Sequence, residues 1–162
     1  MLKAQIDMLL GSYKANTLRR RHICAEMKRV RREIRLVEET AAEVTAVKLT
    51  GMPGGGGVVD RTGDIAADLS DGTLPAAQAL RRVLERLAAE KKRVEGDIEY
   101  VEIWFEALDE RERHVIMSQV IDKRSWQSVV ESYNREFGIY VCEETLRRIK
   151  ISGLNKIYAI AA

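Results

Sequence analysis

Apolar side chains return along this chain at spacings that alternate four and three. One series runs Ile23, Met27, Val30, Ile34, Val37, Ala41 and Val44; a second runs Leu80, Leu84, Leu87, Lys91, Val94, Ile98, Val101, Phe105 and Leu108. That alternation draws a narrow stripe along each of two long helices, the seam of a coiled coil rather than the broad face of a globular-core helix. Asn16 or Thr17 is placed to cap the first helix, and Thr73 with Pro75 to open the second, so helices are expected at about 17–49 and 76–107. Between them "TGMPGGGGVVDRTGDIAADLSDG" holds four consecutive glycines, which a helix does not tolerate. The run lacks the GK[ST] ending of a phosphate-cradling loop and follows no strand, so residues 50–75 read as a connection. The two seams either fold back as an antiparallel hairpin or pair with a second protomer. Lys91 inside the second seam sets register or oligomer state at a cost in stability.

Composition agrees with long solvated helices. Of 162 residues, 32% are charged and 46% hydrophobic, with two prolines, which suits helices better than an enzyme built around one deep cleft. No apolar run reaches the roughly 18 residues needed to span a bilayer, and "MLKAQIDMLLGSYK" has no uninterrupted apolar stretch before a cleavage site. A soluble cytoplasmic protein with no membrane partner is expected. Cys24 and Cys142 lie far apart without a CxxC partner, and His22 and His114 are isolated in charged helices, where histidine is usually a surface residue. No metal and no cofactor are therefore expected. Glu38 with Glu39 and Asp109 with Glu110 are sequence neighbours that point apart on a helix, and no nucleophile and base form a set, so the chain is read as not an enzyme.

The net charge of +2 conceals an uneven distribution. Residues 1–49 hold 11 basic and 6 acidic side chains, residues 50–75 hold one against 4, residues 76–108 hold 6 against 7, and residues 109–162 hold 9 against 8. Positive charge gathers in "RRRHICAEMKRVRREIR" and "TLRRIKISGLNKI". Clustered cations are the footprint of a nucleic-acid binder, and equally of a solvated basic helix face. For Arg19, Arg20, Arg21, Arg29, Arg31, Arg32 and Arg35 both readings stay open: a second DNA contact surface, or the outside of a coiled coil.

After Leu108 the heptads give way to three short helical units. "LDERERHVIMSQVI" has Asp109 as cap and Val115, Ile116 and Val120 as apolar contacts. "RSWQSVVESYNREFGI" starts from Ser125 as cap, places Trp126, Val129, Val130 and Tyr133 in the core, and stops at Gly138. "CEETLRRIKISGLNKI" aligns Leu146, Ile149, Leu154 and Ile157 on an apolar face, leaving Thr145, Arg147, Arg148 and Lys150 off it. Tyr133 and Tyr140 are assigned to packing against this last helix. Two helices joined by a turn with a glycine, the second with a basic free face, are the parts of a helix-turn-helix.

The stretch from Leu108 to Ile157 resembles the helix-turn-helix of region 4 in sigma-70-type factors, on the frame of "LDERERHVIMSQVIDKRSWQSVV" and "CEETLRRIKISGLNKI". With the upstream charged helix, "GMPGGGGVVDRTGDIAADL" and the second heptad helix, the chain is similar to phage late-transcription regulators of the RinA/ArpU type. The resemblance implies an all-α protein, a long helical hairpin over 1–108 followed by a helix-turn-helix domain over 109–162, that binds double-stranded DNA and activates late genes. By position, Cys142 takes the family's serine cap, and Glu143, Glu144, Thr145, Arg147, Arg148 and Lys150 fall at the start of the recognition helix. Ser125, Trp126 and Gln127 fall on the first helix of the motif, near the DNA backbone, and Lys156 is assigned with Lys150 to phosphate. Two features depart from the family: the acidic Glu143 and Glu144, which either accept from cytosine N4 or repel phosphate, and the longer connection "YNREFGIYV".

The expected assembly is a homodimer addressing two half-sites, with the hairpin or the acidic segment Asp60 to Asp71 contacting host RNA polymerase. Two other classes share these parts. A small terminase subunit joins a helix-turn-helix to helical oligomerisation segments, and a helical adaptor has no DNA role; subunit number and salt-dependent DNA binding separate them.

Overall fold

A computed structural model describes residues 2–49 and 75–161, the side chains of 43–49 excepted, and all regular structure among the described residues is helical. Helix α1 spans Lys3–Leu49, α2 Pro75–Glu106, α3 Glu110–Ile116, α4 Trp126–Phe137 and α5 Glu143–Ala161, and a π-helical turn, Met117–Ile121, follows α3 directly. The glycine run, the segment from Asp60 to Asp71, Thr73 and the side chain of Val44 lie outside the described residues.

Helix α2 begins at Pro75, where a fixed φ and a missing N–H suit the first helical position. Helix α1 begins far upstream of the expected cap. Asn16 and Thr17 are interior to it: the Thr17 hydroxyl donates to the Tyr13 carbonyl at 2.9 Å, and the Asn16 amide donates to Asp97 of α2 at 3.4 Å. The reason lies in Ile6, Leu10 and Tyr13, which carry the four–three spacing back toward the amino terminus, so the first turns have an apolar stripe of their own and are held by burial, with the Gln5 side chain accepting from the Leu2 amide at 3.1 Å.

The two long helices pair antiparallel within one chain. Tyr13 packs edge-on against Phe105, with ring centres 5.7 Å apart, while the later Asn16 reaches the earlier Asp97, and Glu38 of α1 pairs with Arg81 of α2 at 2.8 Å.

Two compact units result, one formed by 1–21 with 92–162 and the other by 22–91. In the first, Ile6 and Leu10 of α1, Val101, Trp104 and Phe105 of α2, and Leu108, Ile116, Ile121 and Ile157 share one core. Packing therefore does not divide at Leu108, because the ends of both long helices bury their apolar stripes against the helices that follow. In the second unit Ile23, Val30 and Ala77 are buried while Met27, Ile34, Val37, Leu80, Leu84 and Leu87 are half-buried, as a narrow seam requires.

The carboxy-terminal end of α5 is tied to α1 by the Tyr158 hydroxyl, which donates to Asp7 at 2.6 Å. Burial, then the Asp7 carboxylate, pushes the Tyr158 phenol up from 10.0 to about 12. A raised folded-state value means that stability is fully present below pH 10 and is lost as pH rises toward 12, because the unfolded chain releases this proton first. Tyr158→Phe is expected to flatten the fall in stability across that window, checked by urea unfolding at about pH 9 and about pH 11. An unchanged slope would place the alkaline sensitivity elsewhere.

Candidate nucleic-acid interface

Helices α3, α4 and α5 close around a small core of Val115, Val129, Tyr133 and Leu146, with Trp126, Val130, Phe137, Ile139, Val141 and Ile149 packed against it. Local chemistry sets each boundary. Asp109 caps α3 by accepting from the Glu112 amide at 2.7 Å, while Glu112 reaches back to the Asp109 amide, a complete capping box. After the π-helical turn, Lys123 takes a left-handed φ of 55°, and the chain delivers Ser125 to cap α4 through the Ser128 amide at 3.4 Å. Gly138, at φ 65°, ends α4 in the left-handed conformation that favours glycine.

The connection from Gly138 to α5 has no regular secondary structure. The Asn134 side chain accepts from the Val141 amide at 3.1 Å and fixes its path. Ile139 and Val141 pack against the small core, whereas Tyr140 between them, expected to pack against α5, is fully exposed at 100%. Cys142 stands just before α5, its Sγ 3.4 Å from the Thr145 hydroxyl. That hydroxyl and the first amides of the helix hold the Cys142 thiol below its ordinary value.

On α5 the buried side is Leu146, Gly153 and Ile157. Glu143 and Glu144 stand in the first turn, where carboxylates complement the helix dipole, and each meets an arginine one turn on. Arg147 donates to Glu143, at 2.9 Å from Nε, and Arg148 Nε lies 3.4 Å from Glu144. Both carboxylates, open in sequence between reading cytosine and repelling phosphate, are thus engaged along their own helix. Trp126, expected in the core, is half-buried and carries the Arg147 guanidinium and the Lys150 ammonium over its ring, 5.5 and 5.7 Å from the centre. Arg147 and Lys150 therefore flank α5 on the α4 side, whereas Arg148, 78% exposed, lies outward.

Glu144, Arg148, Ile151 and Asn155 follow one another by four, three and four residues, so they form one exposed row. Ile151 is 58% exposed and Asn155 is exposed; neither was singled out from sequence, although an isoleucine off the apolar face at that spacing is a readable signal.

Ser125 and Gln127 lie at the start of α4, Ser125 committed to its cap and the Gln127 amide 3.5 Å from Glu131. Lys156 is placed differently from its expected phosphate role. It donates to Glu112 Oε2 at 2.7 Å, and Ser152 donates to the other oxygen at 2.9 Å, so a buried carboxylate on α3 receives two groups from α5. Donation to Glu112 holds the Lys156 ammonium above its ordinary value. Among the described residues no buried polar side-chain atom lacks a partner.

His114, expected at the surface, is 13% exposed and lies edge-on to Tyr133 and Phe137. Its Nδ1 is 2.8 Å from Glu136 and its Nε2 is 3.2 Å from the Ser132 hydroxyl. Hydroxyl, imidazole and carboxylate stand in the order of an acyl-transfer triad. The Ser132 hydroxyl, however, donates to the Val129 carbonyl within α4, and the group acts as a clasp between α3 and α4. Sequence missed it because His114 lies on α3 while Ser132 and Glu136 lie on α4.

Among the described residues no group of His, Cys, Asp and Glu is placed to hold a metal ion, and no helix is long and apolar enough to cross a membrane. Models of known protein families, curated proteins and solved structures each yielded no match to this chain.

Proposed function

We propose that this protein is a sequence-specific regulator that binds duplex DNA through α5 and activates transcription of phage or mobile-element late genes. The observation that carries the reading is the exposed row Glu144, Arg148, Ile151 and Asn155, flanked by Arg147 and Lys150, on a helix whose opposite face is anchored in a core of three helices. A helix of that build fits the major groove. Arg148 is suited to bidentate contact with guanine, Asn155 to adenine and Ile151 to a thymine methyl group, while Arg147 and Lys150 at the edge, with Thr145, suit phosphates. The α4 amino terminus, with Ser125 and Gln127, supplies backbone contacts. The resemblance to phage late-transcription regulators supports the biological setting. Two copies would present two α5 helices to half-sites about one helical turn apart, with host RNA polymerase as the further partner.

Selection from random duplex fragments at two salt concentrations tests the reading. Wild type is expected to enrich one motif. Arg148→Ala is expected to weaken binding to that motif by roughly 1–3 kcal/mol and relax it at one position, whereas Lys150→Ala weakens all sequences alike and lowers the salt dependence. Binding without any enriched motif would overturn sequence reading, and rings of many subunits in a mass measurement would favour a packaging protein.

A further inference from the structure

A second basic surface lies on α1. Lys28, Arg31, Arg32 and Arg35 occupy positions i, i+3, i+4 and i+7, which is one face of a helix, and all four are exposed. Of the nearby α1 carboxylates, Glu26 lies 4.0 Å from His22, Glu33 3.4 Å from Arg29, and Glu38 2.8 Å from Arg81 of α2. Glu39, the next residue on the cationic face, closes the stripe. None of the four cations engages a carboxylate or an aromatic ring among the described residues. A merely solvated face alternates sign so that residues one turn apart attract. Here Lys28 with Arg31 and with Arg32, and Arg35 with Arg31 and with Arg32, repel, a cost to the helix that a bound polyanion relieves.

The stripe is about 10 Å long at a rise of about 1.5 Å per residue. One strand of a duplex carries a phosphate about every 3.4 Å, so this row matches about three of them, where a small anion would engage one or two cations. We propose that Lys28, Arg31, Arg32 and Arg35 form a second DNA surface that holds the phosphate backbone without reading sequence. The inference rests on the DNA-binding reading above, and it assigns to these residues a share of the salt-dependent, sequence-independent affinity beyond that of Arg147 and Lys150 on α5.

The test measures binding of the full chain to a random-sequence duplex between about 50 and 200 mM salt. Replacing all four residues by glutamine, which matches lysine and arginine in helix propensity, is expected to reduce the slope of log K against log salt by about 2–3 while leaving helicity and the selected motif unchanged. Arg31→Lys, Arg32→Lys and Arg35→Lys together are expected to keep the slope, since counterion release depends on charge. An unchanged slope in the glutamine variant, with motif selection intact, overturns the stripe and leaves α5 as the DNA reader. A reduced slope with no motif in wild type upholds the stripe and overturns sequence reading. Wild type without salt-dependent duplex binding, or with single-stranded RNA as the preferred competitor, overturns the stripe as a duplex surface.

Discussion

Gly153→Val is expected to destabilise the protein by about 3 kcal/mol, measured by urea unfolding. Gly153 is buried on α5 against α3. A Cβ added there lies 2.8 Å from Ile116 Cδ1, 3.3 Å from Glu112 Cβ and 3.6 Å from Leu108 Cδ2. Ile116 Cδ1 ends a flexible side chain that can shift, but Glu112 Cβ is fixed to the α3 backbone and moves only with the helix. Even Gly153→Ala, which gains about 1 kcal/mol of helix propensity, meets this contact, so its net loss is smaller than that of valine but still a loss. Gly11→Ala and Gly96→Ala are the controls, because a Cβ meets nothing within 4 Å at either. A valine variant as stable as wild type would mean that α3 and α5 do not approach this closely.

Loss of the Glu112 side chain has a comparable effect through a different cause. Glu112 is buried, accepts from the Asp109 amide, Ser152 and Lys156, and so joins the capping box of α3 to the middle of α5. Glu112→Ala removes one half of the box, worth about 1 kcal/mol, and two further hydrogen bonds to a carboxylate, while its Cβ beside Gly153 stays; the expected total is about 3 kcal/mol. Ser152 and Lys156 reach solvent and are rehydrated, which keeps the figure below that for an orphaned buried charge. Lys156→Met is expected to lower the thermal midpoint in wild type and to have little effect in a Glu112→Gln background. Additive losses would show that the pair is not coupled. The same lysine variant should leave the salt dependence of DNA binding unchanged, unlike substitutions in the α1 stripe.

Much of the candidate interface was readable before any fold was known. Ser125, Gly138 and Asp109 act through atoms two to four residues away, so their capping roles are visible in sequence, and the apolar spacing of Leu146, Ile149 and Ile157 orients α5. Legibility ended where partners come from other elements. Lys156 and Arg148 look alike in sequence, yet one meets Glu112 across a helix interface and the other lies outward. Trp126 looks like core, yet half of it is a platform for Arg147 and Lys150.

The upstream helices show the same division. The four–three spacing by itself determined that there are two long helices, and Pro75 where the second begins, because helical hydrogen bonds and the first-turn preference of proline are local. Tertiary structure alone decided that α1 starts near Lys3 rather than at Asn16, that the two seams pair within one chain, and that Ile6, Leu10 and Phe105 join the core under α5. Burial of an apolar stripe depends on which distant stripe it meets, and that meeting is a property of the folded chain rather than of any window of its sequence.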